Sequence, residues 1–426
     1  MYAPHLKNKI CCVIIFTYRL FLRYKCGERR EYMGAVRFFS ALSESLPVGG
    51  SAFIDTQALK SNYRTIMAEI NRHSPRTESI CVVKADAYGH TTEICAPVLA
   101  AAGCRRFAVA NIAEACALRK TLLEAKVNGF CVIILGRTDI EYARLLSEYG
   151  FVQCVYSYEY AKALSESLES DVSVHIKIDT GMNRLGFSIG TPEKFEDSVN
   201  EVVEISKMKN LRVDGLFTHF ARADERTPEG EGVTRDQFDR FTRFDGALCQ
   251  KGLFIPFKHC CNSAASLCYP EFACDGVRLG LSLYGAGDSV SLLPSLAPVM
   301  RFETKITHVH VANAGERVGY GGDFICRKDM KIATLSVGYA DGFSRDYRNA
   351  SVGIVTESGV FEAKVVGRVC MDQFMADVTD IPASVGDRAI IFGDTADRIR
   401  RLAESAGTID YECLCSVSAR VPRIAH

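Results

Sequence analysis

Within Ile80-Cys81-Val82-Val83-Lys84-Ala85-Asp86-Ala87-Tyr88-Gly89-His90 an apolar run meets a lysine and then a turn. Such a run reads as a strand buried on both faces, and an ammonium at its exit is costly unless it is paired, exposed or reacting. Taken alone, the lysine is a solvated strand end. Chemistry needs partners, and other stretches carry suitable groups: Lys177 to Gly186, Thr218-His219-Phe220, Asn262-Ser263-Ala264-Ala265, Arg278-Leu279-Gly280-Leu281 and Val318-Gly319-Tyr320-Gly321-Gly322. Ser263, Gly280 and Leu281 suit an anion, because backbone N–H groups and small side chains cradle phosphate. Read by itself, Asn262 to Ala265 is a helix N-cap, and Val318 to Gly322 is a glycine turn with a surface tyrosine. A phosphate pocket across from Lys84 is the arrangement that holds an aldehyde cofactor as a Schiff base, and pyridoxal 5′-phosphate is the candidate.

The elements that must position these groups are short apolar strands alternating with helical stretches. The spacing predicts strands at Ser79 to Val83, Arg106 to Ala110, Gly129 to Leu135, Val152 to Tyr156, Ser173 to Ile178, Val213 to Thr218, Phe257 to Cys261 and Gly276 to Leu283. It predicts helices at Ile112 to Glu124, Ile140 to Tyr149, Glu159 to Glu169, Pro192 to Lys207 and Thr234 to Gly252. The class is α/β: an N-terminal (β/α)8 TIM-like barrel, with its site at the C-terminal ends of the strands and its phosphate by the last two loops. After Pro294 the pattern shifts to short strands and glycine turns, the mark of a mainly β C-terminal domain. The expected division is 1–50 as a dispensable leader or extension, 51–297 as the cofactor-binding barrel, and 298–426 as the β domain.

The 426 residues are 48% hydrophobic, enough for a large core, and Lys+Arg and Asp+Glu both total 51, so no net field draws the chain to nucleic acid or membrane. The 18 cysteines sit in apolar elements, none at Cys-x-x-Cys spacing, which speaks for reduced core residues and no structural metal. Lys7 and Lys9 precede the apolar run Ile10 to Phe16, and Arg19, Arg23, Lys25, Arg29 and Arg30 follow it. The run is too short to span a bilayer and no small-residue cleavage site follows. The favoured reading is a dispensable leader, with Met33 as an alternative start and a targeting signal as the competing one. The expected location is the cytoplasm.

Val83-Lys84-Ala85-Asp86-Ala87-Tyr88-Gly89-His90 resembles the pyridoxal-phosphate signature of the alanine racemases. Lys177 to Gly186, Thr218 to Ala221, Asn262 to Ala264, Val277 to Gly280, Gly319 to Gly321, Gly338 to Gly342 and Gly367 to Gln373 resemble further motifs in family order, over residues 50 to 426. The resemblance implies a homodimer with shared sites that interconverts L- and D-alanine, supplying D-alanine for peptidoglycan. It implies that Lys84 carries pyridoxal 5′-phosphate and is one base, while Tyr320 from the other subunit is the second. Arg278 would face the pyridine nitrogen, where a fixed cation disfavours ring protonation and weakens the electron sink. His219 would orient Arg278. Tyr88, Ser263, Gly280, Leu281 and Tyr411 resemble the family's phosphate contacts, and Asn262 is expected to bind the cofactor with them. Arg184 and the backbone of Met371 would take the substrate carboxylate, and Asp372 belongs to the motif around Met371. Lys177 matches a lysine that is carbamylated in some members. Tyr339 and Tyr411 would narrow the mouth of the site and favour a small side chain. A serine or broad-specificity racemase shares these motifs. A non-catalytic pyridoxal-phosphate carrier would lack the β domain, and a decarboxylase would not carry the Gly367 motif and Arg278.

Overall fold

The computed structural model describes residues 49–287 and 289–426 of the chain, so most of the leader expected over residues 1–50 lies outside the described residues. The described strands begin with β1 (Gly50–Ile54), β2 (Glu78–Val82), β3 (Arg106–Val109), β4 (Cys131–Ile134), β5 (Val152–Val155), β6 (Val172–Asp179) and the two-residue β7 (Phe187–Ser188). They continue with β8 (Leu211–Phe217), β9 (Phe257–His259) and β10 (Gly276–Leu279). The parallel ladder runs β10-β2-β3-β4-β5-β6-β8-β9, with β7 pairing only with β6. Between the two ends, Arg278 N donates to Cys261 O at 3.0 Å and closes the ring. The strands are apolar on both faces because helices cover the outside and side chains fill the inside; Val152–Val155 is buried at every position. The (β/α)8 barrel expected from the alternation of elements is therefore present.

Two elements differ from the sequence reading. The helix expected from Thr234 begins at Pro228: Thr227 Oγ1 accepts from Gly230 N at 3.1 Å and Pro228 opens the first turn, while Gly230 and Gly232 conceal the helical pattern. The strand expected to run to Leu283 stops at Leu279. Gly280 (φ −123°, ψ −103°) leaves the ladder and gives its N–H to Ser263 Oγ, and Leu281–Tyr284 forms a 3-10 turn instead.

The second part comprises β11 (Met300–Ala312), β12 (Arg317–Val318), β13 (Phe324–Ile325), β14 (Met330–Leu335), β15 (Ser351–Thr356), β16 (Gly359–Val366), β17 (Phe374–Asp377), β18 (Arg388–Phe392) and β19 (Arg423–Ala425). The order β14-β17-β16-β15-β18-β11 closes on itself because β11 also pairs with β14. One 13-residue strand serves both neighbours: its register shifts between Phe302 and Glu303 and again between Ile306 and His308, so β18 holds its first half and β14 its second. The sequence assigns residues 51–54 to the barrel, but they lie in this β sheet. β1 pairs antiparallel with β11, Ala52 opposite Phe302, and parallel with β19. Gly50, Ala52 and Ile54 turn inward there, and β1 takes the side of β11's first half that β18 leaves unpaired. Buried residues of barrel and β sheet form one continuous core. Among the described residues no helix is long and apolar enough to cross a membrane.

Candidate active site at the barrel strand exits

Lys84 leaves β2 half-buried, and the chain then enters an unusual turn. Ala85, Asp86, Ala87 and Tyr88 have φ of 51°, 52°, 56° and 55°, one turn of left-handed helix built without glycine. At about 1–2 kcal/mol for each L-residue, that conformation costs roughly 4–8 kcal/mol and needs specific support. Ala87 N donates to Val83 O and Gly89 N to Ala85 O, both at 2.9 Å. The Asp86 carboxylate accepts from Thr91 Oγ1 (2.9 Å) and Thr92 N (2.7 Å), and the Glu114 carboxylate accepts from Ala85 N (2.9 Å). His90 is fully buried, and its Nδ1–H points at Ala87 O (3.1 Å) and Tyr88 O (3.0 Å). From the other end of the chain Arg423 Nε donates to Gly89 O (2.9 Å), and a Cβ on Gly89 would lie 2.3 Å from Leu414 O. The turn is thus clamped against the segment that carries Tyr411. Burial lowers the proton affinity of the Lys84 amine, and the Arg184 charge lowers it further.

The turn delivers Tyr88 to the exit of β10. Its ring packs between Tyr284 (5.2 Å) and Tyr411 (5.9 Å). A Cβ on Gly280 would lie 2.7 Å from Tyr88 Oη and 3.9 Å from Ser263 Oγ. Ser263 Oγ accepts from Gly280 N at 2.8 Å, which leaves its own O–H for another acceptor. Two hydroxyls therefore flank a position kept free of side chain, and the N–H groups opening the Leu281 turn lie beside it. This donor set fits the phosphate of pyridoxal 5′-phosphate. Asn262 is spent otherwise: its Oδ1 accepts from Ala265 N at 2.9 Å, the N-cap that its sequence suggests when read alone.

Arg278 is buried on β10, and five hydrogen bonds leave its Nη1 and Nη2. They reach His259 O, Thr218 O and Cys260 O (2.8, 2.7 and 2.8 Å), His259 Nδ1 (2.8 Å) and His219 Nδ1 (3.2 Å). Burial lowers its pKa to about 10, still a cation at neutral pH. A guanidinium only donates, so Nδ1 of both histidines must be a lone pair and each neutral ring carries its proton on Nε2. His259 Nε2 then donates to His175 Nδ1 at 2.9 Å. Burial, reinforced for His219 and His259 by the Arg278 charge, holds both far below the ordinary histidine value and takes His175 to about 3. Sequence reasoning missed His259 and His175. Their signal is Gly215, paired with His175 across β6 and β8, where a Cβ would lie 2.2 Å from the imidazole.

Strand period two puts Lys177 on the same face of β6 as His175. Lys177 Nζ donates to Leu185 O at 2.6 Å, and burial lowers its pKa to about 8. Arg184 is exposed in the loop between β6 and β7, near enough for its charge to act on Lys84, Lys177 and His219. One chain therefore gathers Lys84, Tyr88, Lys177, Arg184, His219, Ser263, Arg278, Gly280, Leu281 and Tyr411 around the strand exits.

The remaining candidates lie in the β domain. Tyr320 is 70% exposed, and the depression beside it is lined by β-domain residues, among them Val318, Cys370 and Met375. Met371 is 54% exposed, and its carbonyl accepts from Ala340 N at 3.0 Å, while Cys370 O accepts from Tyr339 N. Tyr339 is partly exposed and Asp372 is bound by Arg420 Nη2 at 2.7 Å.

Comparison with known proteins agrees along the chain. The family model for the alanine racemase N-terminal domain matches residues 54–288, and that for the C-terminal domain matches residues 299–425. Alanine racemase 1 of Clostridium acetobutylicum is 39% identical over 368 residues, 84% of this chain and 91% of its own. An alanine racemase of Clostridium perfringens is 40% identical over 383 residues, 88% of this chain and 94% of its own. The solved alanine racemase of Clostridium difficile 630 has a TM-score of 0.78 at 34% identity, covering 90% of this chain and 97% of that one. With both family models in order and such identity along most of its length, this chain belongs to the alanine racemase family of pyridoxal 5′-phosphate-dependent isomerases.

Proposed function

We propose that this protein interconverts L- and D-alanine by a two-base mechanism. The observation that carries the reading is a half-buried amine, Lys84, gathered with a hydroxyl-flanked glycine and a buried arginine cation at one end of the barrel. Bound there, pyridoxal 5′-phosphate supplies an electron-withdrawing ring that acidifies the α-carbon of the amino acid joined to it. Lys84 would hold its aldehyde carbon, Tyr88, Ser263, Gly280, Leu281 and Tyr411 its phosphate, and Arg278 its ring nitrogen. Asn262 supports the cradle as the cap of the helix that bears Ser263.

Racemisation removes a proton from one face and returns one to the other, so it gains from a base on each side. Lys84, its proton affinity lowered by burial and by Arg184, serves the face from which D-alanine loses its α-proton. Tyr320 of the partner subunit serves the other. In a lone chain that tyrosine faces solvent, which fits a residue lent to a neighbouring barrel in a homodimer. Arg184 and the backbone of the partner's Met371 take the substrate carboxylate. Asp372, held by Arg420, supports the Met371 loop, and a carbamate on Lys177 would supply the negative charge that holds Arg184. His219 is a neutral acceptor that orients Arg278. Tyr339 and Tyr411 narrow the mouth to admit a methyl side chain. Residues 55–297 supply the barrel and residues 49–54 with 298–426 the β half, the leader before Gly49 is dispensable, and the enzyme works in the cytoplasm to provide D-alanine for peptidoglycan.

The test is racemisation of a panel of L-amino acids, serine included, read by chiral chromatography. Borohydride reduction and peptide mapping locate the cofactor. Turnover led by alanine, with the label on Lys84, is expected. Turnover led by serine would move the assignment to a serine racemase, and a label on another lysine would sink the site.

A further inference from the structure

Asn111-Ile112-Ala113-Glu114 opens the helix Ile112–Glu124 with the spacing of a capping box, in which the glutamate turns back to the N–H of the cap residue. Half of the box forms, since Asn111 Oδ1 accepts from Glu114 N at 3.0 Å. The carboxylate goes elsewhere. Its Oε2 accepts from Ala110 N at 2.7 Å, one residue before the cap, and its Oε1 accepts from Ala85 N at 2.9 Å on the neighbouring strand exit. Ala85 directly follows Lys84 and is the first residue of the left-handed turn. One carboxylate thus ties the exits of β2 and β3 together at the peptide next to the reactive amine.

We propose that Glu114 is a positioning residue for Lys84, holding the start of the left-handed turn so that the amine is presented to the reacting carbon. The inference rests on Lys84 being a base. An N3 glutamate diverted from its own cap gives up a local hydrogen bond, and the strained turn is what it gains in exchange. Charge works in the same direction. Burial, Arg184 and Arg278 lower the proton affinity of Lys84, whereas the Glu114 carboxylate raises it, and neutral His219 lies within the same field. Glu114 keeps the amine basic enough to abstract a proton at a site dominated by cations.

The test uses the full-length, cofactor-loaded enzyme. Glu114→Gln retains one acceptor oxygen and loses the charge; Glu114→Ala loses both. Each is expected to lower kcat about 10- to 100-fold, the range for small misplacement of a reacting group. The primary deuterium isotope effect should grow with α-deuterated D-alanine more than with the L enantiomer, because proton abstraction by Lys84 becomes slower. The pH limb of the Lys84 base should move to lower pH in both variants. A folded, loaded Glu114→Gln enzyme with wild-type isotope effects and pH limb would overturn the proposal. Borohydride labelling of the wild type separates the two levels: a label off Lys84 overturns the reading of the site itself, and a label on Lys84 with unchanged effects overturns the role of Glu114 alone.

Discussion

Arg278 Nη1 lies 2.8 Å from His259 Nδ1, deep inside the barrel. The contact fixes the proton of His259 on Nε2, which donates it in a hydrogen bond to His175 Nδ1, so three residues form a chain with one polarity. Replacing His259 with leucine breaks both links and leaves His175 Nδ1 unpaired. That orphaned acceptor costs about 1–3 kcal/mol, read as a lower unfolding temperature at fixed cofactor and protein concentration.

The same histidines make stability depend on acid. Their folded pKa values lie below the unfolded value of 6.5, about 3 for His175. Between those limits the unfolded chain binds more protons than the folded one, so stability falls as pH drops from about 6.5 toward about 3, by up to ~1.4 kcal/mol per pH unit and group. His175→Gln, which can accept from His259 but does not titrate, should make that decline shallower. An identical slope in denaturant unfolding across the range would count against a buried neutral His175.

Gly280 sets the size of the anion cradle. In Gly280→Ala the new Cβ meets Tyr88 Oη at 2.7 Å, and Tyr88 cannot swing aside because Tyr284 and Tyr411 pack its ring. Affinity for pyridoxal 5′-phosphate should fall about 10-fold or more, the scale of losing one charge-assisted hydrogen bond, as measured by titrating the apoenzyme. Secondary structure by circular dichroism should stay unchanged.

A shared site has a genetic signature. Lys84→Ala and Tyr320→Phe chains are each expected to be inactive or severely impaired. Mixed and reassembled, a heterodimer holds one site with both lesions and one with neither, so activity should return toward half the wild-type level per dimer. Heterodimers shown to form without recovery would place both bases in one chain.

Lys177 is a lysine on the verge of neutrality, its pKa brought to about 8 by burial. Carbon dioxide adds only to an uncharged amine, so carbamate formation here should be strong above pH 8 and weak below it. Isotope-labelled bicarbonate followed by carbon NMR tests this, with Lys177→Gln as the blank. A carbamate would place a negative charge in the field of Arg184.

The barrel motifs are legible because they sit in or just after the strands of a repeating βα pattern, and period and length alone announce a barrel. Local chemistry was legible too: Asn262 reads as an N-cap and is one. The helix start at Pro228 was not, because Gly230 and Gly232 mask a helix whose stability comes from capping and packing.

By sequence alone Lys84 is an ordinary strand end, and its residue type, its neighbours and the order of the motifs are all in the chain. Nothing in Lys84-Ala85-Asp86-Ala87-Tyr88 announces a left-handed turn, since no glycine is present to favour it. Tertiary contacts impose it: Glu114 from one helix and Arg423 from the C-terminus hold what local preference opposes. Similarly, His175 and His259 are 84 residues apart and meet only when β6, β8 and β9 stand side by side. Sequence determined which groups the protein owns and along which strands they lie. Only the fold decided their conformations and protonation states, because strain, burial and charge depend on neighbours brought together from distant parts of the chain.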